Sequence, residues 1–209
     1  VMMVVGSATN YMMNRILIGF TPTAVAVYGS YFKIQSFFFM PVFGLNSGMI
    51  PIIGYNYGAC RKDRIYRTFR YGVLYASFFM LLGFFMFQLM PGKLLGIFKP
   101  SGHMLAIGVP ALRRISISFL FAGFCIVAGA VCQALDHSAA SLAVSVLRQL
   151  VALIPAAWLL SRTGDVNMVW WSFPIAEIMC LIASAFFLRS PFRLMERVLS
   201  GNLPEPAEP

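Results

Sequence analysis

An all-α membrane protein with six transmembrane helices is the fold class this sequence predicts, and three observations carry the prediction. Hydrophobic residues make up 59% of the 209 residues and charged residues only 11%, against about 25% charged in soluble domains. Mean hydropathy is +0.79. The apolar residues also fall in continuous stretches of about 20, the length a bilayer core of about 30 Å demands, rather than in the alternating segments of about 10 residues that a membrane barrel shows. Disorder is excluded, because it requires low hydrophobicity. A disulfide scaffold is excluded as well: the chain has 4 Cys, and Cys125, Cys132 and Cys180 lie in apolar runs. The first residue is Val, and neither a charged n-region nor a small-residue cleavage site follows it. The apolar start therefore reads as a span rather than a signal peptide, and the chain as a piece of something longer.

The spans are expected at about 1–20, 24–55, 71–90, 115–135, 141–160 and 166–188. Thr21-Pro22-Thr23 separates the first two. Pro91-Gly92 ends the third, Asp136-His137-Ser138 turns after the fourth, and Ser161-Arg162-Thr163-Gly164-Asp165 turns after the fifth. The mixed stretch from Leu94 to Leu112 reads as a loop with a short helix lying in the interface. Together these make one lobe over 1–190, followed by a tail over 191–209. Gly201 to Pro209, with three prolines and two glutamates, is expected to be disordered.

With six spans, both chain ends and the loops after spans two and four share one side. That side carries Arg61, Lys62, Arg64, Arg67, Arg70, Arg189, Arg193 and Arg197, eight residues, against five on the other: Lys93, Lys99, Arg113, Arg114 and Arg162. The positive-inside rule then puts both ends in the cytoplasm. The net charge of +9 is thereby largely topology, and no soluble domain exists to present a nucleic-acid patch.

Ionisable residues inside spans are costly and point to function by default. Arg15 lies near a helix end and can snorkel outward. Lys33 lies roughly 13 Å into span two; it either faces a water-filled cavity or escapes to the outer interface. Arg148 and Glu177 lie on consecutive antiparallel spans, about 10 Å and about 16 Å from opposite membrane faces, so their depths nearly coincide. They are expected to form a buried ion pair. Glu177 is alternatively a protonatable coupling site, being the one acid well inside a span.

Span two stands out. At about 32 residues it is too long for a straight crossing, and Pro41 and Pro51 interrupt its hydrogen-bond ladder. Lys33, Gln35, Ser36, Asn46, Ser47 and Asn56 mark it with polar groups, and the 11-residue interval between Gln35 and Asn46 returns to nearly the same helical angle. Such a stripe either lines a cavity or bonds neighbouring helices. Gly44-x-x-x-Gly48 and Gly54-x-x-x-Gly58 permit close packing. The 13 Met and 20 Phe are suited to adaptable apolar surface.

Enzymatic constellations are missing. The chain has no HExxH, GxSxG or glycine-rich phosphate loop. His103 and His137 are isolated, so neither a metal site nor an activated nucleophile is expected. An integral-membrane prenyltransferase would need acid-rich loops for Mg2+, and the loops here are basic.

Phe39-Met-Pro-Val-Phe-Gly-Leu-Asn-Ser-Gly-Met-Ile-Pro-Ile-Ile-Gly-Tyr-Asn-Tyr-Gly-Ala59, followed by Arg61-Lys-Asp-Arg64, resembles the multidrug and toxic compound extrusion (MATE) family, with Pro51, Gly54, Asn56, Gly58 and Ala59 as the signature. Ala26-Val-Tyr-Gly-Ser-Tyr-Phe-Lys-Ile-Gln-Ser-Phe37 is similar to the start of the family's eighth helix. Arg148, Pro155, Gly164, Trp170, Pro174 and Glu177 resemble its last two. The resemblance covers nearly all of 1–190. It implies a twelve-helix transporter in two lobes, of which this chain is the C-terminal one, with an N-terminal lobe as its missing partner. It further implies efflux of drugs or other organic compounds, often cationic, from the cell membrane by antiport against H+ or Na+, with no cofactor and no enzymatic activity. The cavity is then expected to be lined by Lys33, Gln35 and Asn46 of span two with Asn10 and Asn14 of span one. Family coupling uses acids near the cavity, in one branch a glutamate on helix seven; the counterpart here shows Asn10 and Asn14 instead. The signature residues look like packing and topology elements. The alternatives are a lipid-linked oligosaccharide flippase of the same superfamily, for which Lys33 and Arg15 could hold a diphosphate, and a structural subunit without transport.

Overall fold

The computed structural model describes residues 2–135 and 138–199, all of its elements helical. They are α1 (Met2–Ile18), α2 (Pro22–Gly58), α3 (Lys62–Leu89), α4 (Pro91–Gly96), α5 (Gly102–Ser116), α6 (Phe119–Ala134), α7 (Ser138–Val146), a π-helical segment (Leu147–Leu153), α8 (Ile154–Ser161), α9 (Val166–Val169) and α10 (Ser172–Leu199). Among the described residues, four stretches are long and apolar enough to cross a membrane: Pro22–Gly58, Lys62–Leu89, Ser141–Ser161 and Val166–Phe186. Gly102–Ser116 and Phe119–Ala134, bent by 50° at their junction, count as a fifth if read as one span. The predicted first span corresponds to α1, whose 17 described residues rise about 26 Å. The turn expected at Asp136-His137 and the segment Gly201 to Pro209 lie outside the described residues.

Thr21 caps α2 by accepting from the Ala24 N–H at 3.2 Å, and Pro22 fits the first turn, where no N–H is needed. The helix then runs unbroken through Pro41 and Pro51 for 37 residues, about 55 Å of rise. Each proline removes one ladder bond without ending the helix. Ser36 and Ser47 donate to the Phe32 and Phe43 carbonyls one turn back, a pattern that bends helices. The end of α2 is a Schellman turn. The Arg61 N–H bonds the Asn56 carbonyl at 2.9 Å, the Cys60 N–H bonds the Tyr57 carbonyl at 3.1 Å, and Cys60 takes the left-handed position at φ 55°.

One expectation changes here. The stretch from Leu94 to Leu112 is no interfacial loop: Ser101 caps α5, which buries Ile107, Ala111, Leu112 and Ile115 against the bundle. Gly108 and Pro110, both poor helix formers, argue against a helix there in sequence. The break that follows is satisfied from α3, where Gln88 donates to the Arg113 carbonyl at 2.9 Å and to the Ser116 hydroxyl at 3.1 Å. At the tail, α10 continues to Leu199, so 191–199 is helical.

α2, α3 and α6 pack together at the centre, α10 packs on α6, and the π segment packs on α10. α3 and α6 approach through small residues. A Cβ on Gly123 would sit 3.2 Å from the Ala76 carbonyl carbon and the Ser77 nitrogen. Phe37, Leu74, Phe78, Ile182 and Phe186 remain exposed, as an apolar solvent permits.

Candidate functional site

Residues three and four apart share a helix face, and on α2 that rule gathers Tyr28, Tyr31, Phe32, Gln35 and Phe39. These side chains form one wall of a cavity of about 450 Å3, within the size range of small-molecule sites. The opposite walls come from Thr9 and Asn10 of α1, Ser118, Ala122 and Ile126 of α6, Arg148 and Gln149 of the π segment, and Phe173, Ala176 and Glu177 of α10. The rings pack on one another rather than scatter. Tyr28 meets Phe32 edge-on with centroids 4.9 Å apart, and Tyr31 meets Phe173 at 5.7 Å.

Polar groups are set into this aromatic frame. The Tyr28 hydroxyl donates to Asn10 Oδ1 at 3.0 Å, fixing α1 against α2. Arg148 Nη1 lies 3.7 Å from Glu177 Oε1, an ion-pair separation too long for a hydrogen bond. Glu177 is 7% exposed. Its Oε1 and the Oε1 of Gln35 are buried without a hydrogen-bond partner. Two unsatisfied acceptors at the edge of one cavity are costly as they stand and are where a ligand's donors would bind.

The π turn places Arg148 and Gln149. Pro155 has no N–H to give to the preceding turn, and the widened ladder from Leu147 to Leu153 lies just before it. Widened turns of this kind recur at functional sites, and this one carries Arg148 and Gln149 into the cavity.

The predicted residues divide. Asn10, Gln35, Arg148 and Glu177 line the cavity. Lys33, Asn14 and Asn46 do not. Lys33 is two residues from Gln35 and so lies on another face; it is exposed, its Nζ 5.7 Å from the Phe98 ring centroid. Asn14 is exposed one turn beyond Asn10. Asn46 Nδ2 donates to the Ile126 carbonyl of α6 at 3.2 Å, which bonds one helix to another. Arg15 stands near the α1 end, 3.5 Å from the Tyr11 hydroxyl. Of the signature residues, Asn56 donates from Nδ2 to the Ile52 carbonyl at 2.8 Å within the Schellman turn, and a Cβ on Gly54 would meet the Ala134 carbonyl of α6 at 3.8 Å. Gly58 and Ala59 lead into the turn, and Pro51 is exposed on the helix surface. Sequence reasoning missed the aromatic wall: spacing puts its members on one face of α2, but which face turns inward is set by the helices around it. It missed Gln149 because a regular helix would not aim it with Arg148.

Comparison with known proteins gives the family and the fold. The MatE family model matches residues 1–159. The chain belongs to the MATE family. It is thus part of a multi-pass membrane transporter family, not an enzyme family. The multidrug export protein MepA of Staphylococcus saprophyticus is 23% identical over 183 residues, 88% of this chain and 40% of that protein. MepA of Staphylococcus aureus strain RF122 is 22% identical over 84% of this chain and 39% of its own length. The chain thus spans about 40% of the curated MATE relatives it matches. Among solved structures, the Vibrio cholerae MATE transporter VcmN in its bent form superposes with a TM-score of 0.87 at 19% identity, over 95% of this chain and 45% of that one. An outward-facing multidrug resistance MATE transporter gives 0.86 at 18% identity, over 94% and 45%. An inward-facing one gives 0.83 at 17%, over 97% and 47%. The fold is therefore that of about half a MATE transporter.

Proposed function

We propose that this chain is the C-terminal six-helix lobe of a secondary active exporter in the cell membrane, which expels aromatic organic compounds, cations among them, by antiport against H+ or Na+. The carrying observation is the cavity: aromatic faces of Tyr28, Phe32 and Phe173 surround the unpartnered acceptors of Gln35 and Glu177. Ring faces attract flat organic cations, and the two acceptors can receive their N–H donors. The missing N-terminal lobe would close the transport pathway. Similarity of this one lobe to outward-facing and inward-facing transporters supports rocking of a rigid lobe rather than its internal rearrangement. The flippase alternative calls for a cationic cavity. Lys33 and Arg15 lie outside this one, and Arg148 already faces Glu177.

The test is ethidium flux in liposomes holding the full-length parent, under an imposed pH gradient and then an imposed Na+ gradient. Flux that requires one of the two establishes antiport and identifies the ion. Absence of flux under both rejects drug export for this class of compound.

The proposed orientation, with both ends cytoplasmic, rests on the exposed basic residues at the α2–α3 junction, among them Arg61, Arg64, Arg67 and Arg70. Cys60 stands beside them and is exposed, whereas Cys125, Cys132 and Cys180 are buried. A membrane-impermeant maleimide should therefore label Cys60 in inverted vesicles and not in intact cells, with Cys60→Ser as the control. Labelling from outside intact cells would reverse the topology.

A further inference from the structure

Beside the cavity, and separated by much of the chain, Cys125 of α6 comes to Cys180 and Glu177 of α10. Their two Sγ atoms and a Glu177 carboxylate oxygen all lie within 4.8 Å of one another. All three residues are buried, at 5%, 2% and 7% exposure, and Val144 and Leu181 pack against the two thiols. We propose that Cys125, Cys180 and Glu177 form a binding site for a thiophilic divalent cation of the zinc and cadmium class.

Geometry, donor chemistry and charge each support it. Zn–S bonds of about 2.3 Å at tetrahedral angles set the sulfurs about 3.8 Å apart, so these atoms need to draw in by about 1 Å at most. Two thiolates with one carboxylate are a soft donor set, which selects Zn2+ or Cd2+ over Mg2+ or Ca2+. Three protein ligands also leave a fourth position open. Two thiolates and a carboxylate carry three negative charges, and a divalent ion with the Arg148 guanidinium carries three positive ones, so the filled site is neutral in a place where net charge is costly. Arg148, 3.7 Å from Glu177 Oε1, supports the carboxylate as an outer-shell partner does. The entry path is the cavity, since Ala122 and Glu177 line it and Cys125 and Cys180 each lie one helical turn further on. The site does not depend on the export reading.

Cd2+ titrated into the reduced, metal-free full-length protein in detergent tests the proposal through the ultraviolet Cd–thiolate charge-transfer band. A saturable band is expected that is lost in Cys125→Ala and in Cys180→Ala and persists in Cys60→Ser. Glu177→Gln should weaken Cd2+ by about tenfold or more, since loss of even an outer-shell partner does so. Should the alanine variants fail to fold, the wild-type protein decides: Cd2+ slows alkylation of Cys125 and Cys180, read by mass spectrometry. No band, a band retained in both alanine variants, or alkylation of the two thiols unaffected by Cd2+ would overturn it. Recovery of Cys125 and Cys180 as a disulfide from intact cells would overturn it too, because the ligands would then be spent.

Discussion

Replacing Glu177 by alanine should lower the stability of the purified full-length protein by about 3 kcal/mol. Removing one member of a buried ion pair costs about 3–5 kcal/mol, because the other charge is left buried and alone. The lower end applies because the Arg148 side chain is 31% accessible and that of Glu177 only 9%: part of the stranded guanidinium can draw on cavity water. Replacing Arg148 as well should recover most of the loss, since an apolar pair in place of a buried ion pair is often neutral or stabilising. Urea unfolding in detergent of Glu177→Ala, Arg148→Leu and the double variant gives the coupling directly. Additive losses would show that the two side chains do not support one another. Flux in the same variants separates the roles of the carboxylate. A double variant that is stable and still coupled makes the pair structural, whereas one that is stable and uncoupled makes Glu177 a coupling residue.

The second large effect is expected at Gly123. Lipid offers no hydrophobic gain when two helices associate, so packing at close range carries much of the load. α3 and α6 use it: the space a Cβ would need at Gly123 is bounded at 3.2–3.3 Å by backbone atoms of Ala76 and Ser77. Backbone cannot turn aside as a flexible side chain can. Gly123→Val should therefore force the helices apart and cost about 3 kcal/mol, the upper end of the usual overpacking range. Gly44→Val is the control, because nothing lies within 4 Å of its added Cβ and the two share the same chemical change. Equal unfolding midpoints for the two variants would contradict the close-contact account.

The helices were legible because their signal is bulk composition. Long apolar runs need no tertiary information, and the punctuation at Thr21-Pro22 and Pro91 acts through local backbone chemistry. α5 was missed although Ile107, Ala111, Leu112 and Ile115 recur at helical spacing, because Gly108 and Pro110 are poor helix formers and lower the expectation of a helix there. The Arg148–Glu177 meeting could be anticipated from depth alone, since two antiparallel spans leave a charge in the membrane few partners. The cavity wall could not. Which face of α2 looks inward depends on how α1, α6 and α10 surround it. Lys33, Gln35 and Asn46 are polar alike in sequence, yet one lies exposed over the Phe98 ring, one lines the cavity and one bonds a neighbouring carbonyl. The thiol cluster had no local trace at all, its members meeting only when α6 and α10 pack.

The most direct test of the central claim, that the solute is handled in this cavity, is flux through a protein whose cavity is filled. Ser36 lines it from α2, is exposed, and spends its hydroxyl on the Phe32 carbonyl at 2.7 Å. A tryptophan there projects into open space with little call on the packed core. Ethidium flux driven by the coupling gradient should fall at least tenfold in Ser36→Trp liposomes, with the unfolding midpoint near that of the wild type. Full flux in that variant, at wild-type stability, would place the solute elsewhere and contradict the account.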